Sequence, residues 1–436
     1  MRDEPRIAAF ELLRAVDEGG AYANLALPSM ITERGLTGRD AALATELGYG
    51  TVRASGTLDE IIGRCVDRPM SDVEPPVRWL LQLGSYQLLR TRIPSHAAVA
   101  TTVELARTTG NGRAGGFLNA VLRRVATADW EGWTDTLAHG SSPMRQLSLR
   151  SAHPEWISAA FADALDGDLD ETAAALTADD ARPQTHLVAW PGRIERAELV
   201  AVSGGEPGPY SPYAVRLAGG DPGGLEVVRR GRAGVQDEGS QLCALALVRA
   251  PIEGPDERWL DLCAGPGGKS ALLAALAGQR GAKLTAQELH PHRAELVRKI
   301  TAPWDVDVRV GDARQLGPAE GRFDRILVDA PCTGLGALRR RPEARWRRKP
   351  EDVATLTALQ HELLDTALGL VRPGGVVAYV TCSPHLAETA GVVAGRRLID
   401  ARECFAGVEE LGAGPTVQLW THRHGTDAMF CAIIRG

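Results

Sequence analysis

The chain has 436 residues, of which 44% are hydrophobic and 24% charged, and its formal net charge is −6. A prior of roughly 150 residues per domain predicts about three globular domains. The first residues are charged and no apolar run approaches the ~20 residues of a membrane helix, so we expect a soluble, cytoplasmic protein. The seven cysteines include no Cys-x-x-Cys pair, which argues against a disulfide framework and a zinc finger.

The first part of the chain has a helical pattern throughout residues 6–127. Ile7, Phe10 and Leu13 recur at the spacing of one helix face, and a second apolar stripe lies within residues 80–89. We therefore predict a small all-helical domain over residues 1–130.

The middle of the chain, residues 131–234, has a weaker pattern. It contains one candidate strand at residues 185–190 and a glycine-rich stretch over residues 204–224. We predict a small α/β subdomain that connects two larger domains.

Strands and helices alternate regularly in the last part of the chain, residues 235–436. This alternation predicts a parallel, doubly wound α/β sheet of the Rossmann-like type. The predicted strands cover residues 258–263, 283–288, 306–310, 324–329 and 375–382, and the predicted helices residues 268–278, 291–300 and 350–371.

Three of these strands run into segments with reactive or flexible residues. The first precedes the glycine-rich loop 263–269, the second ends at Asp329 before Cys332, and the third ends before Cys382. Ligands of open α/β sheets bind beyond the carboxyl ends of the strands, so we expect these segments to form one cleft. Two thiols and a carboxylate in such a cleft indicate covalent chemistry beside a cofactor.

The glycine-rich loop does not match either common phosphate-binding pattern. A Walker A loop would need a glycine at Cys263, and a dinucleotide fingerprint would need one at Ser270. A nucleoside cofactor without a pyrophosphate, such as S-adenosylmethionine, fits the loop, with Asp261 and Glu288 placed for a ribose diol or an amino group. A helix-start turn without a ligand is the alternative interpretation.

A basic cluster with one aromatic residue follows Cys332. Basic side chains can neutralise phosphates, and an aromatic ring can stack on a base. A solvated arginine-rich loop is the simpler interpretation, but the position next to the predicted cleft favours RNA contact. The residues expected to contact RNA are Arg339, Arg340, Arg341, Arg345 and Trp346.

Several ordered motifs resemble those of a known enzyme family. Residues 235–241, 263–269, 327–336, 379–383 and 425–430 closely resemble the motifs of the Sun/RsmB-type RNA 5-methylcytosine methyltransferases. Near the N-terminus, the chain looks like the NusB-like helical RNA-binding domain of bacterial members, and this resemblance rests on residues 40–50, 92–98 and 116–124.

The resemblance implies methyl transfer from S-adenosylmethionine to carbon 5 of a cytosine in RNA, with 16S ribosomal RNA as the expected substrate. It also implies that Cys382 adds to carbon 6 as the nucleophile, that Cys332 assists product release and that Asp329 holds the cytosine edge. Our own inference adds Lys269 as a positive charge near the thiolate. The residues implied for the cofactor are Cys263, Ala264, Gly265, Pro266, Gly267, Gly268, Lys269, Glu288, Asp312 and Asp329.

One departure and two alternatives accompany this hypothesis. Family members often follow Thr-Cys-Ser with two acidic residues and an asparagine, whereas here only Glu388 is acidic. The histidines have no metal-ligand spacing, so we expect no metal site, and we expect a monomer. The same reaction on tRNA and a non-catalytic RNA-binding adaptor stay open. The remaining cysteines are interpreted as buried and structural, namely Cys65, Cys243, Cys404 and Cys431.

Overall fold

The computed structural model describes residues 3–436, and the chain divides into two compact units. The first unit extends to Ala181 and also includes Leu338–Lys349. The second unit consists of Arg182–Ala337 and Pro350–Gly436. The chain therefore passes from one unit to the other three times, and the segment Leu338–Lys349 is separated in sequence from the rest of its unit.

The first unit is all-helical, which confirms the prediction for the N-terminal domain. Its long helix Gly38–Cys65 places leucine and isoleucine side chains in the core, and Leu47, Leu58 and Ile61 are fully buried there. The α-helices of this unit are Glu4–Asp17, Ala23–Glu33, Gly38–Cys65, Pro75–Arg90, Ser95–Thr108, Gly115–Val125, Trp130–Ala138, Pro143–Arg150, Glu155–Ala164, Leu169–Asp180 and Ala344–Arg347.

The predicted connector 131–234 is divided between the two units. Its helices up to Leu169–Asp180 belong to the first unit, and its strands belong to the second. These strands are β1 His186–Ala189, β2 Glu206–Pro207, β3 Ala214–Arg216 and β4 Ala233–Val235, and the helices between them are Arg196–Ser203 and Glu226–Arg229. The strand expected at 185–190 is β1, which pairs antiparallel with β3 and β4 in a small sheet of order β2-β3-β1-β4.

The main sheet of the second unit contains a parallel core. Its described strands are β5 Arg258–Asp261, β6 Lys283–Glu288, β7 Val306–Val310, β8 Phe323–Asp329, β9 Val371–Thr381, β10 Leu398–Ile399, β11 Val417–Gln418 and β12 Phe430–Arg435. Their order is β10-β12-β9-β8-β5-β6-β7, and β11 also pairs with β12. The strands from β5 to β9 pair in parallel.

One feature of this sheet differs from the prediction. The strand β12 runs antiparallel to β9, with Phe430 opposite Thr381 and Arg435 opposite Val376, so the sheet is mixed rather than wholly parallel. The apolar run Phe430–Arg435 is buried over its first five residues, which is the pattern of a strand covered on both faces. The sequence therefore contained a signal for this strand, but not for its direction.

The helices that cover the main sheet begin and end close to the predicted positions. The predicted helix 350–371 is observed as Pro350–Leu370, where Glu351 and Asp352 lie in the first turn and interact favourably with the helix dipole. The α-helices of the second unit that follow β4 are Glu238–Arg249, Gly268–Gln279, Pro291–Thr301, Pro350–Leu370, Ala390–Val393 and Thr421–His424. Over the residues described, none of the helices has the length and apolar character needed to cross a membrane.

Candidate active site

The sheet order places the predicted site residues in one row. Asp261, Glu288 and Asp329 are the last residues of β5, β6 and β8. Cys382 directly follows β9, and Asp312 lies two residues after β7. Because these strands are parallel and adjacent, their carboxyl ends meet at one edge of the sheet, where ligands bind in open α/β folds.

The two candidate thiols are in direct contact. The sulfur atoms of Cys332 and Cys382 are 3.4 Å apart, and both side chains are half-buried. The hydrogen bond to Cys382 and the burial of the group raise the pKa of Cys332 well above its ordinary value. Cys332 therefore keeps its proton at neutral pH and can donate it to the neighbouring sulfur.

Lys269 and Asp329 form an ion pair beside the thiols. The Lys269 Nζ donates a hydrogen bond to Asp329 Oδ2 at 2.9 Å. Burial disfavours the charge on Lys269, but the Asp329 carboxylate together with neighbouring groups outweighs this effect, so the pKa of the lysine is raised. Lys269 also interacts electrostatically with Cys382. A fixed positive charge therefore lies within range of the candidate nucleophile.

The glycine-rich loop is closely packed against the end of β6. The carboxylate of Glu288 accepts a hydrogen bond from Gly265 N at 2.9 Å, and a Cβ at Gly265 would lie 2.3 Å from the same oxygen, Oε2. Gly267 has φ +111°, and a Cβ there would lie 2.4 Å from Ile300 Cγ2. These positions have no space for side chains, so the close packing of the loop requires glycine at both.

The residues around this loop fit a nucleoside cofactor. Asp261 Oδ1 and Gln236 Oε1 are buried acceptors without a hydrogen-bond partner among the described residues, as expected where a ligand supplies the donors. At the ends of β6 and β7, the apolar side chains of Leu289 and Val310 are exposed and can cover an aromatic base. Asp312, which the family resemblance implies for the cofactor, forms an ion pair with Arg314, with 2.6 Å between Oδ2 and Nη2.

Some residues of the site were not found from the sequence. Ser270 Oγ donates a hydrogen bond to Asp261 Oδ2 at 2.6 Å, and Arg293 pairs with Glu288 at 3.7 Å. In the sequence, Ser270 stands where a dinucleotide fingerprint requires glycine, and this departure is a usable signal. The sequence gives no signal for Arg293. Its contact with Glu288 depends on where the helix Pro291–Thr301 begins relative to the end of β6.

Burial of Asp261 predicts a specific pH dependence of stability. Burial raises the pKa of this carboxyl to about 7, although the Ser270 hydrogen bond opposes the shift. A carboxyl with a raised pKa in the folded state destabilises the fold progressively between pH ~4 and pH ~7, by up to roughly 4 kcal/mol at about 1.4 kcal/mol per unit. Asp261→Asn, which imitates the protonated form, is expected to unfold at higher urea concentration than the wild type at pH 8 and at a similar one at pH 4.

The control for this prediction is Asp365→Asn, which changes an exposed carboxylate in the same unit. Urea unfolding of both variants without added ligand, measured at pH 4, 6 and 8, separates the effect of burial from a general effect of charge. An identical pH dependence of the free energy of unfolding in the wild type and Asp261→Asn would contradict the assignment.

The arginine-rich segment does not have the role that its sequence suggested. Arg345 is fully buried in the first unit, where its guanidinium donates to the carbonyl oxygens of Ala152 and Asp179 at 3.1 and 3.2 Å. Trp346 Nε1 donates to Arg53 O at 2.8 Å. The prediction of RNA contacts is therefore corrected for Arg345 and Trp346, which hold the helical unit together.

The other arginines of this segment differ in exposure. Arg339 is buried, Arg340 half-buried and Arg341 exposed. The burial of Arg339 also argues against RNA contact by its side chain, while RNA contact by Arg340 and Arg341 stays a prediction. The interpretation of the remaining cysteines is confirmed, because the buried free thiols are Cys65, Cys243, Cys404 and Cys431.

Comparisons with known proteins agree with this architecture. The family model described as "16S rRNA methyltransferase RsmB/F" matches residues 248–435, and that of the "NusB family" matches residues 3–127. The "Putative methyltransferase Rv1407" of Mycobacterium tuberculosis is 55% identical over 99% of this chain and 96% of its own. The "Probable ribosomal RNA small subunit methyltransferase B" of Bacillus subtilis is 34% identical over 89% of this chain and 87% of its own.

Two solved structures share the fold. The crystal structure of PH0851 covers 100% of this chain and 99% of its own with a TM-score of 0.82 at 21% identity. The structure of NSun6 from Pyrococcus horikoshii, solved with SFG, covers 65% of this chain and 98% of its own, with a TM-score of 0.54 at 18% identity. The chain belongs to the RsmB/F family of 16S rRNA methyltransferases, is S-adenosylmethionine-dependent and carries a NusB-family domain at its N-terminus.

Proposed function

We propose that this protein transfers a methyl group from S-adenosylmethionine to carbon 5 of a cytosine in 16S ribosomal RNA through a covalent Cys382 adduct. The observation that carries the proposal is the thiol pair, with 3.4 Å between its sulfur atoms, beside the ion pair of Lys269 and Asp329. An acid, a nucleophile and an anchor for the base would thus lie at one edge of the sheet.

The thiolate is needed because carbon 5 of cytosine is a weak nucleophile. Addition of the Cys382 thiolate to carbon 6 moves the electrons of the 5,6 double bond towards carbon 5 and the ring. The adduct is richer in electrons at N3 and its neighbours, where the positive charge of Lys269 would stabilise it, while the Asp329 carboxylate would accept a hydrogen bond from the amino group of the cytosine. When bound, S-adenosylmethionine supplies the electrophilic methyl group.

Release of the product reverses the addition. The proton on carbon 5 passes to a water molecule acting as base, the electrons of its C–H bond re-form the 5,6 double bond, and the Cys382 sulfur departs as a thiolate. Cys332 would assist this step, since its retained proton lies on the atom that contacts the departing sulfur. A donor placed at a developing negative charge lowers the barrier to its formation.

The cofactor would be held along the edge from β8 to β7. The backbone of residues 263–269 would lie against it, with Glu288 on the ribose, Asp312 near the adenine and Asp329 near the methionine portion. The buried acceptors Asp261 Oδ1 and Gln236 Oε1 support the presence of a ligand with several donors. These roles are part of the proposal.

The cofactor and substrate classes are tested by one assay. Purified protein is incubated with radiolabelled S-adenosylmethionine and either unmodified 16S rRNA or tRNA transcripts, and the RNA is digested to nucleosides. We expect label in 5-methylcytidine from 16S rRNA and little from tRNA, whereas label only in tRNA would support the same reaction on the other substrate. RNA binding without transfer to any RNA would overturn the proposal in favour of an adaptor, although the intact thiol pair and glycine loop favour the enzyme.

A further inference from the structure

Glu388 is a buried carboxylate to which the proposed reaction gives no role. It ends the short turn Leu386–Glu388, six residues after Cys382, and it is fully buried. Placing an ionised carboxylate in the interior costs several kcal/mol unless hydrogen bonds offset the loss of water. Glu388 therefore needs several hydrogen-bond donors around its carboxylate.

Each of the two carboxylate oxygens of Glu388 accepts two hydrogen bonds. Oε1 accepts from the backbone N of Thr333 at 2.8 Å and from Gln360 Nε2 at 3.1 Å. Oε2 accepts from Ser383 Oγ at 2.7 Å and from Thr333 Oγ1 at 2.5 Å. These four donors satisfy the hydrogen-bonding capacity of the buried carboxylate.

The donors are the residues that adjoin the two thiols. Thr333 directly follows Cys332, and Ser383 directly follows Cys382. Gln360 also donates to the carbonyl oxygen of Pro331 at 2.9 Å, on the other side of Cys332. One carboxylate therefore connects the two loops that carry the thiols.

Glu388 is itself held by the sheet. Its backbone oxygen accepts a hydrogen bond from Tyr379 Oη at 2.8 Å, and Tyr379 is a fully buried residue of β9. The carboxylate is thus a fixed point rather than a mobile side chain. A second link between the loops runs through Gly336, whose backbone N donates to Cys382 O at 2.9 Å.

We propose that Glu388 is a positioning residue that sets the separation of the Cys332 and Cys382 sulfur atoms, and that it acts mainly on the release step. This inference rests on the proposed function. Its basis is that loss of the carboxylate removes the hydrogen bonds that tie both thiol loops to one point and leaves only backbone and direct contacts between them, such as that of Gly336 with Cys382, whereas the nucleophile needs only its own loop to add to the base. Release needs both sulfur atoms in contact, and a displacement near 1 Å is enough to cost about 100-fold in rate.

The test compares three changes at this site in the full-length protein. Glu388→Gln can keep the four hydrogen bonds, since the hydroxyl groups of Thr333 and Ser383 can accept from the new amide. Glu388→Ala removes all of them. Ser383→Ala combined with Thr333→Val removes the hydroxyl donors but leaves the carboxylate. The matched control is Glu403→Gln, which changes an exposed glutamate of the same unit.

Single-turnover methylation and the fraction of RNA held covalently are measured for each variant, with thermal unfolding and S-adenosylmethionine affinity as checks on folding. We expect Glu388→Gln to stay within about 5-fold of the wild type, and Glu388→Ala to release RNA about 100-fold more slowly, while the RNA concentration that half-saturates single-turnover methylation is unchanged. The double variant should lie between them. The accumulated covalent complex is a signature that loss of folded protein cannot produce.

The other outcomes distinguish a failure of the inference on Glu388 from a failure of the proposed function. If Glu388→Ala has the wild-type release rate, or loses activity only in proportion to its loss of folded protein, the inference is wrong while the proposed function stands. If Glu388→Gln is as slow as Glu388→Ala, the charge rather than the geometry matters, which also overturns it. If the wild type forms neither methylated nor covalently held RNA, the proposed function itself fails.

Discussion

Replacing Cys382 with alanine is expected to reduce methyl transfer by on the order of 10⁴-fold or more, because the residue supplies the nucleophile and the remaining site supplies only binding. Replacing Cys332 with alanine is expected to have a different result. Addition to carbon 6 and methylation still occur, but the departing sulfur loses the proton donor that lies 3.4 Å away. RNA should then stay attached to the protein and migrate with it on a denaturing gel.

The measurement is a time course of label transfer and of covalent complex for both variants and the double variant. The double variant should form no complex, since Cys382 is the attachment point. Cys404→Ala serves as control because this buried thiol belongs to the core of the same unit, and it should retain both transfer and release. A trapped complex in Cys382→Ala but not in Cys332→Ala would reverse the assignment of the two thiols.

The main sheet could be predicted from the sequence because its pattern is local. The bounds of β6 and β7 agree with the predicted strands 283–288 and 306–310, since each is an extended run between helix signals. The direction of β12 could not be predicted, because it depends on pairing with β9, about 50 residues away in the chain. Hydrophobic periodicity reports burial, not the partner of a strand.

The candidate site was predictable only where it rests on strand ends. The expectation that Cys332 and Cys382 belong to one cleft followed from parallel strands, and these residues are in contact. The contacts of Glu388 could not be predicted, since its donors Thr333 and Gln360 are 55 and 28 positions away. Its sequence environment showed only that a single acid stands where related proteins often have two.

The arginine-rich segment shows the same limit for charge. Seven basic residues within residues 339–349 suggest a solvated or RNA-binding loop, yet burial is decided by partners distant in sequence. Arg345 reaches Ala152 and Asp179, 193 and 166 positions away. The ring of Trp346 lies against Gly56, where a Cβ would come within 2.2 Å of it. The local composition around Trp346 does not reveal that Gly56, far away in the chain, leaves space for its ring.

Arg345→Met is expected to destabilise the protein by about 3–5 kcal/mol, the typical cost of breaking a buried ion pair. Arg345 pairs with Asp180 at 3.4 Å. Burial lowers the pKa of the arginine to about 10, although the Asp180 carboxylate opposes the shift, so the guanidinium is charged at neutral pH. Methionine would leave Asp180 with fewer partners and two buried carbonyl groups without their donor, each costing about 1–3 kcal/mol.

Urea unfolding of the full-length protein, followed by circular dichroism, measures this loss, and filter binding to 16S rRNA measures affinity for RNA under conditions where each variant is folded. The matched control is Arg341→Met, which changes an exposed arginine of the same segment and should alter stability by less than about 0.5 kcal/mol. Because the Arg345 guanidinium is enclosed within the helical unit, folded Arg345→Met should bind RNA as the wild type does. Unchanged stability together with weakened RNA binding would restore Arg345 as an RNA contact and contradict its structural role.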